Sequence, residues 1–288
     1  TGQITGVALS YKLIAIDIDG TLLNDEKQVT PRTRAAISDA MSAGVYVTLC
    51  TGRGILTSDR IRHLIPELNA PLILNGGALI SDRRRGRFLY VRNLKHRIAH
   101  EAVTELRRLD CNPIVYAPLP ESQHFYYDTI DSSNEAFSEY VAKNEGRAHL
   151  VPDVARSIQA NPAMVAVTDL VARIKDLEPI FNARLTGTTV TLEVSPIDRA
   201  YCHVTLTPHG VSKGSGLRTL ASIMGIPISE TLALGDNLND LDMMTQAGMG
   251  VAMANATPET KQKADYVTAS NNDDGVAHAI ERFVLGEI

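Results

Sequence analysis

"LIAIDIDGTLLND", residues 13–25, decides how this chain is read. An apolar run ends in Asp17 and Asp19, one residue apart, and Gly20 and Thr21 follow at once. The run predicts a buried strand, where one carboxylate is costly and two close together repel each other. A shared cation is the simplest reason for placing both there.

Working outward, short apolar runs alternate with helical patterns. Thr30 and Pro31 open a helix that Gly44 closes, and "VYVTLC" (45–50) predicts a second strand ending in Thr51-Gly52-Arg53. A helix near 56–65 and a third strand, "PLILN" (71–75), follow, and then Gly76-Gly77. This βαβαβ order implies a parallel sheet with helices on its faces. The same style returns at the end of the chain, with a helix near 214–225 and strands "TLALGD" (231–236), "GVAM" (250–253) and "YVT" (266–268). Between these parts lie about 120 residues, too long for a connection within one sheet. They predict helices near 94–109 and 170–184 and another opened by the pair Ser132…Glu135, with strands near 112–117, 123–127, 164–168, 188–194 and 202–207. The expected organisation is a core of residues 7–84 and 209–288 and an inserted α+β domain of residues 85–208.

Composition narrows the functions. Net charge is −5, and the basic triplet Arg83-Arg84-Arg85 reads as a solvated turn, so nucleic acid is not an expected partner. No apolar stretch approaches the roughly 20 residues that span a bilayer. Cys50, Cys111 and Cys202 lie far apart with no CxxC, as expected of reduced thiols in the cytoplasm. The first ten residues lack a basic region and an apolar signal core, and read as a processed end. A monomer or small homo-oligomer is expected.

Four strand ends carry polar groups: Asp17/Asp19, Thr51-Gly52-Arg53, Asn75-Gly76-Gly77 and the run Gly235 to Asp240. Open α/β sheets bind ligands at the carboxyl ends of their strands, so these groups should converge. Asp17 and Asp236 would then share a divalent cation, and oxygen donors without nearby His or Cys favour Mg²⁺. Residues two apart in an extended segment point the same way, so Asp17 can attack phosphorus while Asp19 serves as acid and base. Thr51, the Gly52 N–H and Lys213 at a helix start offer donors for phosphoryl oxygens. A D-x-D-G-T run arises by chance on the order of 10⁻⁵ per position. An EF-hand loop is excluded, because Leu22 stands where its glycine belongs. "TGRG" is no dinucleotide fingerprint, and "VSKGSG" lacks the Walker order.

At these residues the sequence resembles the haloacid dehalogenase-like superfamily of aspartyl-phosphate phosphohydrolases, in its Cof-type sugar-phosphatase branch. "DIDGTLL", "TGR", "NGG", "GVSKGSGL" and "GDNLNDLDMM…AGMGVAMANA" match its motifs in order. The resemblance implies an α/β fold, a Rossmann-like core with a large inserted α+β cap. It makes Asp17 the nucleophile and a metal ligand, and Asp19 the acid/base that ligates Mg²⁺ through its carbonyl. The Ile18 backbone, Thr51, Gly52, Lys213 and Asn239 would hold phosphate. Asp236 would be the remaining direct metal ligand and Asp240 a support for the metal's water shell. The implied reaction is Mg²⁺-dependent hydrolysis of a small phosphorylated metabolite, a sugar phosphate or similar phosphomonoester. His124, Tyr126, Asp198, Arg199 and Tyr201 are open candidates for leaving-group contacts. The alternatives are a phosphomutase, for which a second phosphate clamp is missing, and a non-catalytic phosphosugar-binding regulator, which has no need of two acids at one reacting atom.

Overall fold

A computed structural model describes residues 11–286, apart from 56–57, 59–62, 64, 121–123, 130–132 and 196–197. The first ten residues, most of the helix expected near 56–65, and Ser132 lie outside the described residues.

Strand β1 (Leu13–Ile16) is fully buried, as its unbroken apolar run requires. Helix α1 (Pro31–Ser42) starts where Thr30 accepts a hydrogen bond from the Thr33 N–H. It leads to β2 (Tyr46–Leu49), which pairs parallel with β1. The third expected strand, β3 (Leu72–Leu74), departs from expectation. It meets the parallel sheet through a single bridge, Cys50 to Ile73, and then pairs antiparallel with β4 (Leu79–Asp82). Strand β5 (Arg87–Val91) completes this three-stranded antiparallel sheet. The expected boundary at 84/85 therefore falls inside the hairpin turn that joins β4 to β5. Asp82 closes it, accepting from the Arg85 N–H at 3.2 Å and facing Arg87 at 3.5 Å.

The insertion contributes α2 (His96–Arg108), β6 (Ile114–Tyr116), β7 (Phe125–Tyr127), α3 (Glu135–Lys143), β8 (Ala148–Leu150), β9 (Val165–Leu170), α4 (Val171–Arg184), β10 (Thr188–Val194) and β11 (Tyr201–Pro208). The strands form one mixed sheet in the order β10-β11-β9-β6-β7-β8. Asn134, rather than the expected Ser132, caps α3, accepting from the Phe137 N–H at 2.9 Å. Side-chain alternation splits the sheet into two faces. Val165, Val167, Val204 and Leu206 pack with Val103, Leu106, Ile174 and Phe181 of α2 and α4. Thr168, His203, Thr205 and Thr207 take the opposite parity and line a cavity toward the core.

The chain then returns through α5 (Lys213–Met224), β12 (Thr231–Gly235), α6 (Leu241–Gln246), β13 (Met249–Ala252), α7 (Pro258–Lys263), β14 (Tyr266–Val267) and α8 (Gly275–Ile280). The parallel sheet has the order β14-β13-β12-β1-β2, with β1 between β12 and β2. Ile16 stands level with Leu49 and Leu234, so the chain beyond each strand emerges at one edge. This register brings residues 17, 50 and 235 together.

Candidate active site

Asp17 leaves β1 with its N–H donated to the Leu234 carbonyl, and the chain turns at once. The Leu22 N–H donates back to the Asp17 carbonyl and the Leu23 N–H to that of Ile18. Ile18 keeps its side chain in the core between the two aspartates. Gly20 supplies the left-handed turn at φ +83°, and a Cβ there would lie 2.5 Å from Asp236 Oδ2. Thr21 donates to Asp236 Oδ1 at 2.9 Å, tying the first strand's loop to that of β12.

Lys213 stands at the centre. Its Nζ donates to Asp17 Oδ1 and to Asp240 Oδ1, each at 2.6 Å. Lys213 is 3% exposed and Asp240 0%. Burial alone would push the ammonium's pKa down, but the two carboxylates raise it well above its usual value. The other Asp240 oxygen accepts from the Asp236 and Asn237 N–H groups at 3.0 Å each, so Asp240 holds both the lysine and the 236–240 loop. The Gly214 and Ser215 N–H groups at the start of α5 are already engaged. Gly214 donates to Asp242 at 3.1 Å and Ser215 to its capping partner Ser212 at 3.1 Å. Close backbone approach fixes the start of α5, since a Cβ on Gly77 would lie 2.0 Å from the Ser212 carbonyl oxygen.

Carboxylate oxygens of Asp17, Asp236 and Asp240 lie within 4.8 Å of one another. At an effective dielectric near 20, each such pair repels by about 3 kcal/mol. Burial raises the Asp17 carboxyl well above the ordinary range despite Lys213, and Asp236 reaches about 7, chiefly by burial and then by Asp240. One lysine cannot balance three buried carboxylates. An oxygen-only donor set with excess negative charge fits a hard divalent cation.

Asp19 is held differently. Arg53, at the end of the second strand, grips it through Nε and Nη2, each at 2.6 Å, and so clamps the expected acid/base. Asp17, Asp19, Thr51, Gly52, Lys213 and Asn239 all line one cavity of about 480 Å³. Of the five candidates for leaving-group contacts, Tyr201 alone lines it. His124 pairs with His149 at 2.9 Å and Arg199 with the Asn255 carbonyl at 3.1 Å.

Among the cavity residues that the sequence reading missed is Glu193 of β10. It accepts from Asn239 Nδ2 at 2.9 Å. Beside it, Asn237 both accepts from the Val194 N–H at 3.1 Å and donates to its carbonyl at 2.7 Å, so the strand and the 236–240 loop are joined at two points. Parity along β10 is the signal that marks Glu193, since Val190 and Leu192 face the helices while Thr191 and Glu193 face the cavity.

Comparison with known proteins settles the family. A haloacid dehalogenase-like hydrolase model matches residues 14–280. The chain belongs to the haloacid dehalogenase-like hydrolases. Within them it is a Cof-type phosphatase. YxeH of Bacillus subtilis (strain 168) is 33% identical over 287 residues, covering 96% of this chain and 100% of that protein. The 5-amino-6-(5-phospho-D-ribitylamino)uracil phosphatase YcsE of the same organism is 31% identical over 278 residues, covering 96% and 97%. A haloacid dehalogenase-like hydrolase from Bacteroides thetaiotaomicron superposes with a TM-score of 0.73 at 26% identity, covering 95% and 99%. Among the described residues no helix is long and apolar enough to cross a membrane.

The phosphatase's cavity wall has its own acid sensitivity. The His203 ring stacks on Tyr140 at 4.7 Å, its Nδ1 lies 2.7 Å from Thr168 Oγ1, and burial lowers its pKa to about 4. The unfolded chain has the ordinary value near 6.5, so between these values it binds more protons than the folded state. Stability contributed by neutral His203 is complete above about pH 6.5 and falls as pH drops toward 4. His203→Gln should flatten that limb of the melting temperature, read by thermal melts at half-unit pH steps. An unchanged limb would assign the acid sensitivity to other groups.

Proposed function

We propose that this phosphatase hydrolyses a small phosphorylated metabolite, a sugar phosphate or similar phosphomonoester, through an aspartyl-phosphate on Asp17 with Mg²⁺ as cofactor. The observation that supports this best is Lys213 bridging Asp17 and Asp240, with Asp236 close by, at the base of a cavity large enough for a small ester. Asp17 and Asp236 would hold Mg²⁺ by their carboxylates and Asp19 by its carbonyl, while Asp240 positions the loop. When bound, the ion supplies positive charge that offsets the acidic trio and the phosphoryl oxygens.

The Ile18 backbone, Thr51, Gly52, Lys213 and Asn239 hold the phosphoryl group. Asp17 forms a bond to phosphorus as the ester P–O bond breaks, and Asp19 gives its proton to the leaving oxygen. Water then attacks phosphorus, Asp19 takes the water's proton, and phosphate departs with Asp17 regenerated. The residues near 85–208 serve as a cap that excludes water and contacts the leaving group, with β5 staying paired to the core. Buried free thiols at Cys50, Cys111 and Cys202 support a cytoplasmic setting.

Phosphate release from p-nitrophenyl phosphate with added Mg²⁺, abolished by a chelator and restored by Mg²⁺, tests the reading. Metal-independent release would overturn the cofactor assignment. A screen of small phosphate esters then defines the substrate. Asp19→Asn should still release a burst of p-nitrophenolate, a stable leaving group, and then stall for want of the base. Rapid-quench kinetics reads that burst, and unchanged steady-state turnover would remove Asp19 from the role.

A further inference from the structure

Glu193 sits where the proposed phosphate seat and the cap meet. Its Oε2 lies 2.9 Å from Asn239 Nδ2 and 3.4 Å from the position a Cβ on Gly52 would take. Lys213 and Arg53 attract this carboxylate, while Asp19 and Asp240 repel it. The two-point contact between Asn237 and Val194 keeps it from sliding along the strand. Around it the same sheet face presents Thr191, Thr205 and Thr207, with His203 directly opposite in the ladder.

A phosphoryl group held by Asn239 and Gly52 therefore meets an anion already bonded to the Asn239 amide and close to Gly52. When the phosphoryl takes the Asn239 amide, Glu193 loses its donor beside a second anion. An unpaired, half-buried carboxylate beside a second anion is costly, and the arriving ligand has to replace the lost donor. A hydroxyl or amine on the leaving group, close to the ester oxygen, does so. An apolar group leaves Glu193 unpaired, and an anionic one adds repulsion.

Resting on the phosphatase reading and its phosphate seat, we propose that Glu193 is a specificity-determining residue, which selects phosphate esters carrying a hydrogen-bond donor next to the ester and disfavours those without one. The carboxylate competes with phosphate for Asn239 until such a donor arrives. Discrimination thus comes from an acceptor left unpaired by the wrong substrate, the stronger way for a site to reject an analogue lacking a hydroxyl.

Glycerol 3-phosphate and propyl phosphate form a suitable pair, since both are alkyl esters and only the first carries the neighbouring hydroxyl. With Mg²⁺ present, the unaltered protein should favour glycerol 3-phosphate in kcat/KM by about tenfold or more. Glu193→Gln and Glu193→Ala should collapse that ratio toward one by slowing the first ester and sparing or speeding the second. In Glu193→Ala, inorganic phosphate should also inhibit p-nitrophenyl phosphate hydrolysis at a several-fold lower concentration, because its seat is no longer contested. Glu193→Gln keeps the side chain's shape and carries the test if the alanine variant does not fold. A merely structural role would lower both esters by one factor and leave the ratio intact, which would overturn the proposal. Phosphate inhibition unchanged in a folded alanine variant would overturn it as well. Failure of the unaltered protein to hydrolyse any of the three esters would instead overturn the reading beneath it.

Discussion

Asp17→Asn is expected to fold normally and lose turnover by about 10⁴-fold or more. The amide matches the carboxylate in shape and can still accept from Lys213, but it does not attack phosphorus and binds a cation poorly. Stability should move the other way. Asp17 is one of three mutually repelling buried carboxylates, and burial already raises its proton affinity. Removing its charge relieves that repulsion, so the metal-free melting temperature should hold or rise. A dead enzyme that melts no lower than its parent is the pattern of a residue kept for chemistry at the expense of stability. Steady-state release from p-nitrophenyl phosphate and thermal melts in chelator read the two sides. Near-normal hydrolysis by the variant would sink the covalent mechanism.

Lys213→Met should fail on both counts. Its ammonium is the shared donor to Asp17 and Asp240, and losing one partner of a buried ion pair costs about 3–5 kcal/mol. For a chain of this size that corresponds to a fall of about 10 °C in the metal-free melting temperature. Turnover should drop by about 10³-fold, since an oriented charge at the phosphoryl group is gone. Adding Asp17→Asn to Lys213→Met should recover part of the lost stability and none of the activity, because the two sites are in contact and do not add. Loss of activity with an unchanged melting temperature would mean that the lysine serves phosphate alone.

The sequence made the parallel sheet legible because most of its strands are short apolar runs with glycine, proline or a capping residue nearby. It also made the meeting of Asp17, Thr51, Lys213 and Asp236 legible, since a parallel sheet sends all its strand ends to one edge. The β4–β5 hairpin was harder to see. Arg83-Arg84-Arg85 reads as a turn, but residues 79–82 follow Asn75-Gly76-Gly77 closely and nothing in the sequence names 87–91 as the strand that returns beside them. Arg53 was visible as part of a polar strand end, but its partner lies 34 positions away and only folding identifies it as Asp19. Glu193 was masked for another reason. Alternation along "TTVTLEV" separates two faces without telling which one meets the core, and the packing of α2 and α4 decides that.

The contact between Asn237 and Val194 has a consequence for how such a protein changes over generations. The asparagine addresses main-chain N–H and C=O groups, which every residue other than proline carries, so the seam makes little demand on the side chain at position 194. Lys213, Asp17 and Asp240 are tied to one another without help from the inserted strands. Drift on the cavity face of the cap sheet can therefore rewrite what the protein accepts while the docking of strand to loop stays constant. On the proposed reading, the chemistry would then be inherited as a fixed part, with the substrate range free to diverge around it.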